Sequence, residues 1–135
     1  MQYMLDTTAF SDLMRQHPRL DARLGALSDS DRVTICVIVR GEILHGIRRL
    51  PEGARRRSLQ AKAESLFKAF SCEPVPVLAG DEYARTKLGR QQKGLSLDEN
   101  DLWIAASAVA LGCTLVARDQ HFRGIEGLPV EDWTG

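Results

Sequence analysis

Four carboxylates sit where burial alone would not place an acid: Asp6, Glu42, Asp101 and Asp119. Asp6 and Asp119 each end an apolar run, Met4-Leu5 and Thr114-Leu115-Val116-Ala117. Glu42 interrupts an apolar helical stretch, and Asp101 stands one position ahead of Leu102-Trp103-Ile104-Ala105-Ala106. An isolated carboxylate in such surroundings is costly unless it is paired or binds a metal. Four converging acids without a base among them would repel one another. Divalent cations resolve that repulsion, and hard oxygen ligands suit Mg2+ or Mn2+. Each acid also has an ordinary reading. Asp6 can be a helix N-cap, Glu42 a solvated helix residue, Asp101 a favourable charge at a helix start and Asp119 a turn opener. Taken together at strand ends and helix starts, the four favour the metal. Asp98, three residues before Asp101, is a fifth acid and reads as a first-turn residue.

Other chemistries find less support. Glu42 and His45 form a Glu-x-x-His pair, but carboxylate-bridged di-iron sites need two such pairs. His17 and His121 fall in expected loops with no motif spacing. No Gly-rich phosphate loop follows a strand, and no serine stands in a nucleophile elbow. Phosphoryl transfer on Asp6 is the remaining rival. Phosphatases of that kind carry a second Asp two residues on, where this chain has Thr8, and a receiver needs a Lys where Arg118-Asp119 stands.

The elements that must carry these acids follow from periodicity. Met4-Leu5 closes a first buried strand. A short helix with Phe10, Leu13 and Met14 on one side follows, with Thr7 or Thr8 as its cap. Pro18 opens a second helix. Val33 to Cys36 is a strand, and Val37 to Ile47 a helix with an Ile43, Leu44, Ile47 stripe. Ala54 to Phe70 is amphipathic, with Leu59, Ala63, Leu66, Phe67 and Phe70 inward. Val75-Pro76-Val77 is a third, edge strand. A helix runs from Asp81 to Lys93 and ends at Gly94. Ser96 and Glu99 form a capping box for a buried helix that stops at Gly112. Thr114 to Ala117 is a continuous apolar run suited to a parallel strand, and Pro129 to Trp133 holds a last one. Strands alternating with helices predict one α/β domain over residues 1–135, a mainly parallel sheet of four to five strands flanked by helices. Right-handed crossovers then put Asp6 and Asp119 on one sheet edge.

The chain's length of 135 residues suits a single core. At 44% hydrophobic and 27% charged residues it has the composition of an ordinary soluble domain. No apolar stretch approaches the roughly 20 residues needed to span a bilayer, and the N-terminus lacks a secretory signal. The expectation is a cytoplasmic protein. Cys36, Cys72 and Cys113 match no zinc or redox spacing; Cys36 and Cys113 read as core residues. Acids and bases balance at 18 each. Arg48, Arg49, Arg55, Arg56 and Arg57 cluster, however, and Arg85, Lys87, Arg90 and Lys93 line a later helix. With four acids neutralised by metal, the remaining surface is mildly basic, which suits a phosphate backbone.

In order, these segments resemble the PIN-domain ribonucleases, and most closely the VapC toxins of bacterial toxin–antitoxin pairs. Tyr3 to Thr8 resembles the family's opening strand, which ends in Asp-Thr and a third polar residue. Arg40 to Ile47 is similar to its second segment, Glu followed by an apolar pair and then Gly. Asp101 to Ala106 is similar to the third, Thr114 to Asp119 with Phe122 to the fourth, and Leu128 to Trp133 to the last strand. Arg40 and Gly41 depart from the Ser or Thr and small residue usual there. The resemblance implies a metal-dependent endoribonuclease that hydrolyses RNA, tRNA or rRNA, to a 3′-hydroxyl and a 5′-phosphate. It implies that Asp6, Glu42, Asp101 and Asp119 form the acidic site around Mg2+ or Mn2+, with Asp6 and Asp101 the firmest ligands and the register of the third segment set by Ile104-Ala105-Ala106. Thr8 is then a supporting neighbour, and Arg118, Arg48 and Arg49 are RNA contacts. It further implies a VapB-like antitoxin and a homodimer or hetero-oligomer, whose surfaces Phe10, Leu13, Phe67 and Phe70 are candidates to form. A catalytically silent RNA- or protein-binding module on the same fold is the alternative.

Overall fold

In the computed structural model, which describes residues 1–135, the first strand is the centre of the sheet. Strand β1, Gln2–Leu5, pairs in parallel with β2, Arg32–Cys36, on one side and with β4, Thr114–Val116, on the other. Between β1 and β2 lie α1, Thr7–Met14, and α2, Pro18–Gly25. Helices α3, Val37–Arg48, and α4, Ala54–Ala69, lead from β2 to β3, Ser71–Glu73. Helices α5, Leu78–Gln92, and α6, Glu99–Ala110, lead to β4. A 3₁₀ turn, Gln120–Phe122, precedes β5, Val130–Glu131. The sheet order is β3-β2-β1-β4-β5 and every pairing is parallel.

A strand buried on both faces must be apolar on both, and Tyr3, Met4 and Leu5 are all buried. Phe10 and Leu13 from α1, Val39, Ile43 and Ile47 from α3, and Ile104, Ala105 and Ala108 from α6 close one continuous core around the sheet. The α3 stripe is thus Val39-Ile43-Ile47, spaced by four, and Leu44 is only half-buried. Phe10, Leu13 and Phe70 are core residues, not partner surfaces, and Phe67 stacks on Phe10 with centroids 5.1 Å apart.

Three elements depart from the sequence expectation. The edge strand β3 is Ser71–Glu73, and Val75 to Val77 lies outside it, with Val77 almost fully exposed. Pairing with β2 begins at once after α4, Thr34 opposite Ser71, so the strand is used up before the prolines arrive. Helix α5 starts three residues early, at Leu78. Helix α6 is capped by Asp98 rather than Ser96: the Asp98 side chain accepts from the Asn100 N–H at 3.1 Å. Asp caps as well as Ser does. Glu99, freed from a capping box, instead bonds Tyr83 and pairs with Lys87 at 3.2 Å.

Helix α6 ends in a 6→1, 5→2 pair of bonds, Cys113 N–H to Ala108 O at 2.9 Å and Gly112 N–H to Val109 O at 3.1 Å. That Schellman geometry needs a left-handed residue, and Gly112 has φ +68. The turn delivers the chain into β4 and so fixes where Asp119 emerges. An added Cβ at Gly112 meets nothing within 4 Å, so Gly112→Ala is a pure test of backbone strain. The expected loss is about 1 kcal/mol, read as a lower urea midpoint at unchanged m. No helix is long and apolar enough to cross a membrane.

Candidate active site

Because β1, β2 and β4 are parallel, the chain leaves all three at the same sheet edge. Asp6 follows β1 directly. Its backbone N–H still belongs to the ladder, donating to Val116 O at 3.1 Å. Its side chain caps α1, with Oδ1 accepting from the Ala9 N–H at 2.7 Å. The cap is therefore Asp6 itself, and neither Thr7 nor Thr8. Asp6 is 3% exposed. Burial pushes its carboxyl up to about 7; the Ala9 bond opposes this, and the negative charges of Asp101, Asp119 and Asp12 add to it.

Asp101 lies in the first turn of α6, directly after the Asp98 cap. Burial first, then Asp98, Glu42 and Asp119, raise it to about 6, while His121 opposes. The fifth acid thus acts as a helix cap and as a charge that makes Asp101 harder to ionise. Glu42 projects from α3, and its Oε1 accepts from the Thr7 hydroxyl at 2.5 Å. Asp119 caps the 3₁₀ turn; its Oδ1 meets both the backbone N–H and the Nδ1 of His121 at 2.9 Å.

The hydroxyl bonded to an acid of the group is thus Thr7, where Thr8 was expected. Residue 7 is the first residue of α1 and faces α3 across the site. Thr7→Val should lower kcat/KM for RNA cleavage about 10-fold with little change in Tm, because one hydrogen bond orienting Glu42 is lost. Thr8→Val should stay within about twofold of the parent; a reversed ranking would restore Thr8 as the supporting residue.

Arg118 is the one cation hydrogen-bonded inside this edge. Its Nε donates to Asp12 Oδ2 at 3.0 Å, and its side chain is half-exposed. Asp12 is buried on α1 and was not singled out in the sequence. The available signal was a charge on a short helix whose inward side also carries Phe10, Leu13 and Met14. Arg49 is exposed and lines a groove of about 680 Å³ with Thr7, Gly41, Glu42, His45 and Asn100. Arg48 is also exposed but is not part of that groove's wall.

The four acids offer hard carboxylate oxygens, and Asp6 and Asp101 resist ionisation, as an incompletely neutralised cation site would. That donor chemistry fits Mg2+ or Mn2+. No three Asp, Glu, His or Cys side chains are drawn close enough to hold one ion by themselves. Mg2+ tolerates this, since it keeps several waters and is commonly held by one or two carboxylates together with substrate phosphate.

A five-stranded parallel sheet with acids from four segments at one edge defines a class of fold. The PIN domain family model matches residues 3–128. The ribonuclease VapC1 of Haemophilus influenzae (strain R2866) is 30% identical over 99% of both chains. Two solved complexes are similar in fold. VapBC2 from Rickettsia felis bound to a DNA fragment from its promoter has a chain of TM-score 0.89 and 27% identity, covering 98% of this chain and 99% of that one. VapBC-1 from nontypeable Haemophilus influenzae has one of TM-score 0.87 and 27% identity, covering both chains fully. The chain belongs to the PIN-domain family, in its VapC-type ribonuclease branch.

Proposed function

We propose that this protein is a metal-dependent endoribonuclease toxin, and that Asp6, Glu42, Asp101 and Asp119 carry its chemistry. The observation that supports this most directly is the pair Asp6 and Asp101. Burial first, then the charges of neighbouring acids, hold both above the usual carboxylate range, to about 7 and about 6. Strongly perturbed acids in a cleft are a mark of function.

A divalent ion, Mg2+ or Mn2+, supplies Lewis acidity and charge neutralisation at the scissile phosphate when bound. Asp6 and Asp101 would hold it, with Glu42 and Asp119 completing the acidic ring. Asp6 is aimed by the cap bond to Ala9, which leaves Oδ2 free for the cleft. Glu42 is aimed by Thr7. Arg118, anchored by Asp12, presents its remaining guanidinium N–H groups to a phosphate oxygen. Arg49 and the neighbouring Arg48 would bind the strand's backbone along α3. The reaction needs no covalent enzyme intermediate.

The solved relatives are VapBC complexes, and a VapB-like antitoxin covering this edge is the partner we propose, with homodimerisation of the toxin. RNA is the substrate, of the tRNA or rRNA class. The test is cleavage of bulk tRNA and rRNA with Mg2+, with chelator, and by Asp6→Asn. Cutting is expected only in the first case. Equal cutting in all three would sink the metal-nuclease reading, and no cutting in any would leave an RNA- or protein-binding module.

A further inference from the structure

Arg90, on α5, is 8% exposed, yet no ion pair involves it. Its Nη2 donates to His121 O at 2.8 Å and its Nη1 to Arg123 O at 3.4 Å. Its Nε is buried without a partner. A buried charge is costly when not paired. Replacing buried ionic groups by apolar ones of similar volume is often neutral or stabilising. Stability alone therefore does not account for an arginine here.

What the guanidinium grips is informative. His121 is the residue whose N–H and Nδ1 both meet Asp119 Oδ1 at 2.9 Å. Arg90, the His121 carbonyl, the His121 backbone N–H and imidazole Nδ1, and the Asp119 carboxylate form one unbroken chain of contacts. Packing does not hold the outer end of that chain. The His121 and Asp119 side chains are 71% and 44% exposed. The nearest core anchor is Phe122. Farther along the same loop, α5 grips once more, Arg85 Nη2 to Glu126 O at 2.8 Å.

We propose that Arg90 is a positioning residue for Asp119: from the far side of the loop it fixes His121, which holds the Asp119 carboxylate at the acidic edge. This rests on the reading of Asp119 as a member of the metal-holding group. Arg90 does not touch substrate or the acids.

The test uses the full chain as Arg90→Met, Arg90→Lys, Asp119→Asn and the Arg90→Met/Asp119→Asn pair. Three properties are measured: amide hydrogen exchange at residues 120–123, Mn2+ affinity by calorimetry, and kcat and KM for RNA. Arg90→Met should exchange faster at those amides and bind Mn2+ about 10-fold more weakly. Its kcat should fall while KM for RNA stays within about twofold. Adding Arg90→Met to Asp119→Asn should weaken Mn2+ binding no further, because the residue it positions is already gone. Arg90→Lys, which reaches one carbonyl rather than two, should fall between parent and Met; it carries the test if the Met variant does not fold. Unchanged exchange, or Mn2+ affinity lowered by Asp119→Asn and not by the Arg90 variants, overturns the positioning role alone. If Asp119→Asn changes neither Mn2+ affinity nor cleavage, the assignment of Asp119 has failed, and the role of Arg90 falls with it.

Discussion

Asp6→Asn is expected to abolish RNA cleavage and, in chelator at pH 8, to raise the stability of the fold. Both halves come from one carboxylate. Loss of partners that merely orient metal ligands already costs about 10–100-fold, so loss of a buried ligand should cost more than about 100-fold in kcat/KM. The stability half follows from burial. Asp6 is 3% exposed and its carboxyl is raised from 3.8 to about 7. At pH 8 the folded chain must ionise a group that resists ionisation, a penalty on the order of 4 kcal/mol at 1.36 kcal/mol per pKa unit. Asn removes the charge and keeps the cap, since its side-chain oxygen can still accept from the Ala9 N–H and Asn caps as well as Asp. The amide also turns a donor towards Asp101 and Asp119, where a carboxylate oxygen had repelled them. A rise in Tm on the order of 10 °C without metal is the expected reading. A variant that loses activity and stability together would mean that Asp6 serves the fold and not a cation. Gain of stability with loss of activity is the usual signature of a strained functional site.

Why Asp6 was legible in the sequence and Asp12 was not is a matter of pattern. Asp6 breaks a run, Met4-Leu5, whose apolar character on both faces already specifies a central parallel strand. Asp119 breaks a second such run. Asp101 breaks the outline of α6, where Leu102 and every residue from Ile104 to Ala108 are buried. Each of these acids is conspicuous because the local period is strong. Asp12 sits on a helix of only eight residues, too short for a period to expose an intruder, and its partner Arg118 lies 106 positions away. The same limit applies to Arg90. A cation on a helix that also carries Arg85, Lys87 and Lys93 looks solvated until the 119–125 loop is laid over it. Thr7 and Thr8 were adjacent hydroxyls with equal claims; only the position of α3 makes Thr7 the partner of Glu42. Edge elements were the least legible. Strand β3 is three residues long and mostly exposed, so no alternation marks it, and the apolar Val75-Pro76-Val77 drew the expectation four residues too far.

The second large effect is a stability that falls as pH rises, and a metal that restores it. For Asp6 the sign is opposite to that of an ion-paired carboxylate. Its folded pKa, about 7, lies above its unfolded value of 3.8. Between those values the folded state binds more protons than the unfolded one, so stability declines with pH across that window and is flat above it. Asp101, raised to about 6, acts in the same direction. Asp31, Glu99 and Asp132 are held below their ordinary values by hydrogen bonds. Their contribution is lost only as pH falls through the acid range. Without divalent ions the stability maximum should therefore lie near pH 4–5, acid of neutral. On the proposed reading Mg2+ or Mn2+ would bind the ionised acids and not the protonated ones. Its stabilisation should be nearly absent at pH 5 and reach several degrees in Tm at pH 8 with millimolar ion. Thermal melts from pH 4 to 9, with Mg2+ and with chelator, decide it. The two curves should coincide in acid and separate through pH 6–7, the interval in which cleavage activity also rises. In Asp6→Asn the chelator curve should lose the larger part of its slope, and the remainder, confined to pH below about 6, should be that of Asp101. Curves that run parallel across the whole range would show that these acids do not hold the ion, and would do so without any assay of RNA.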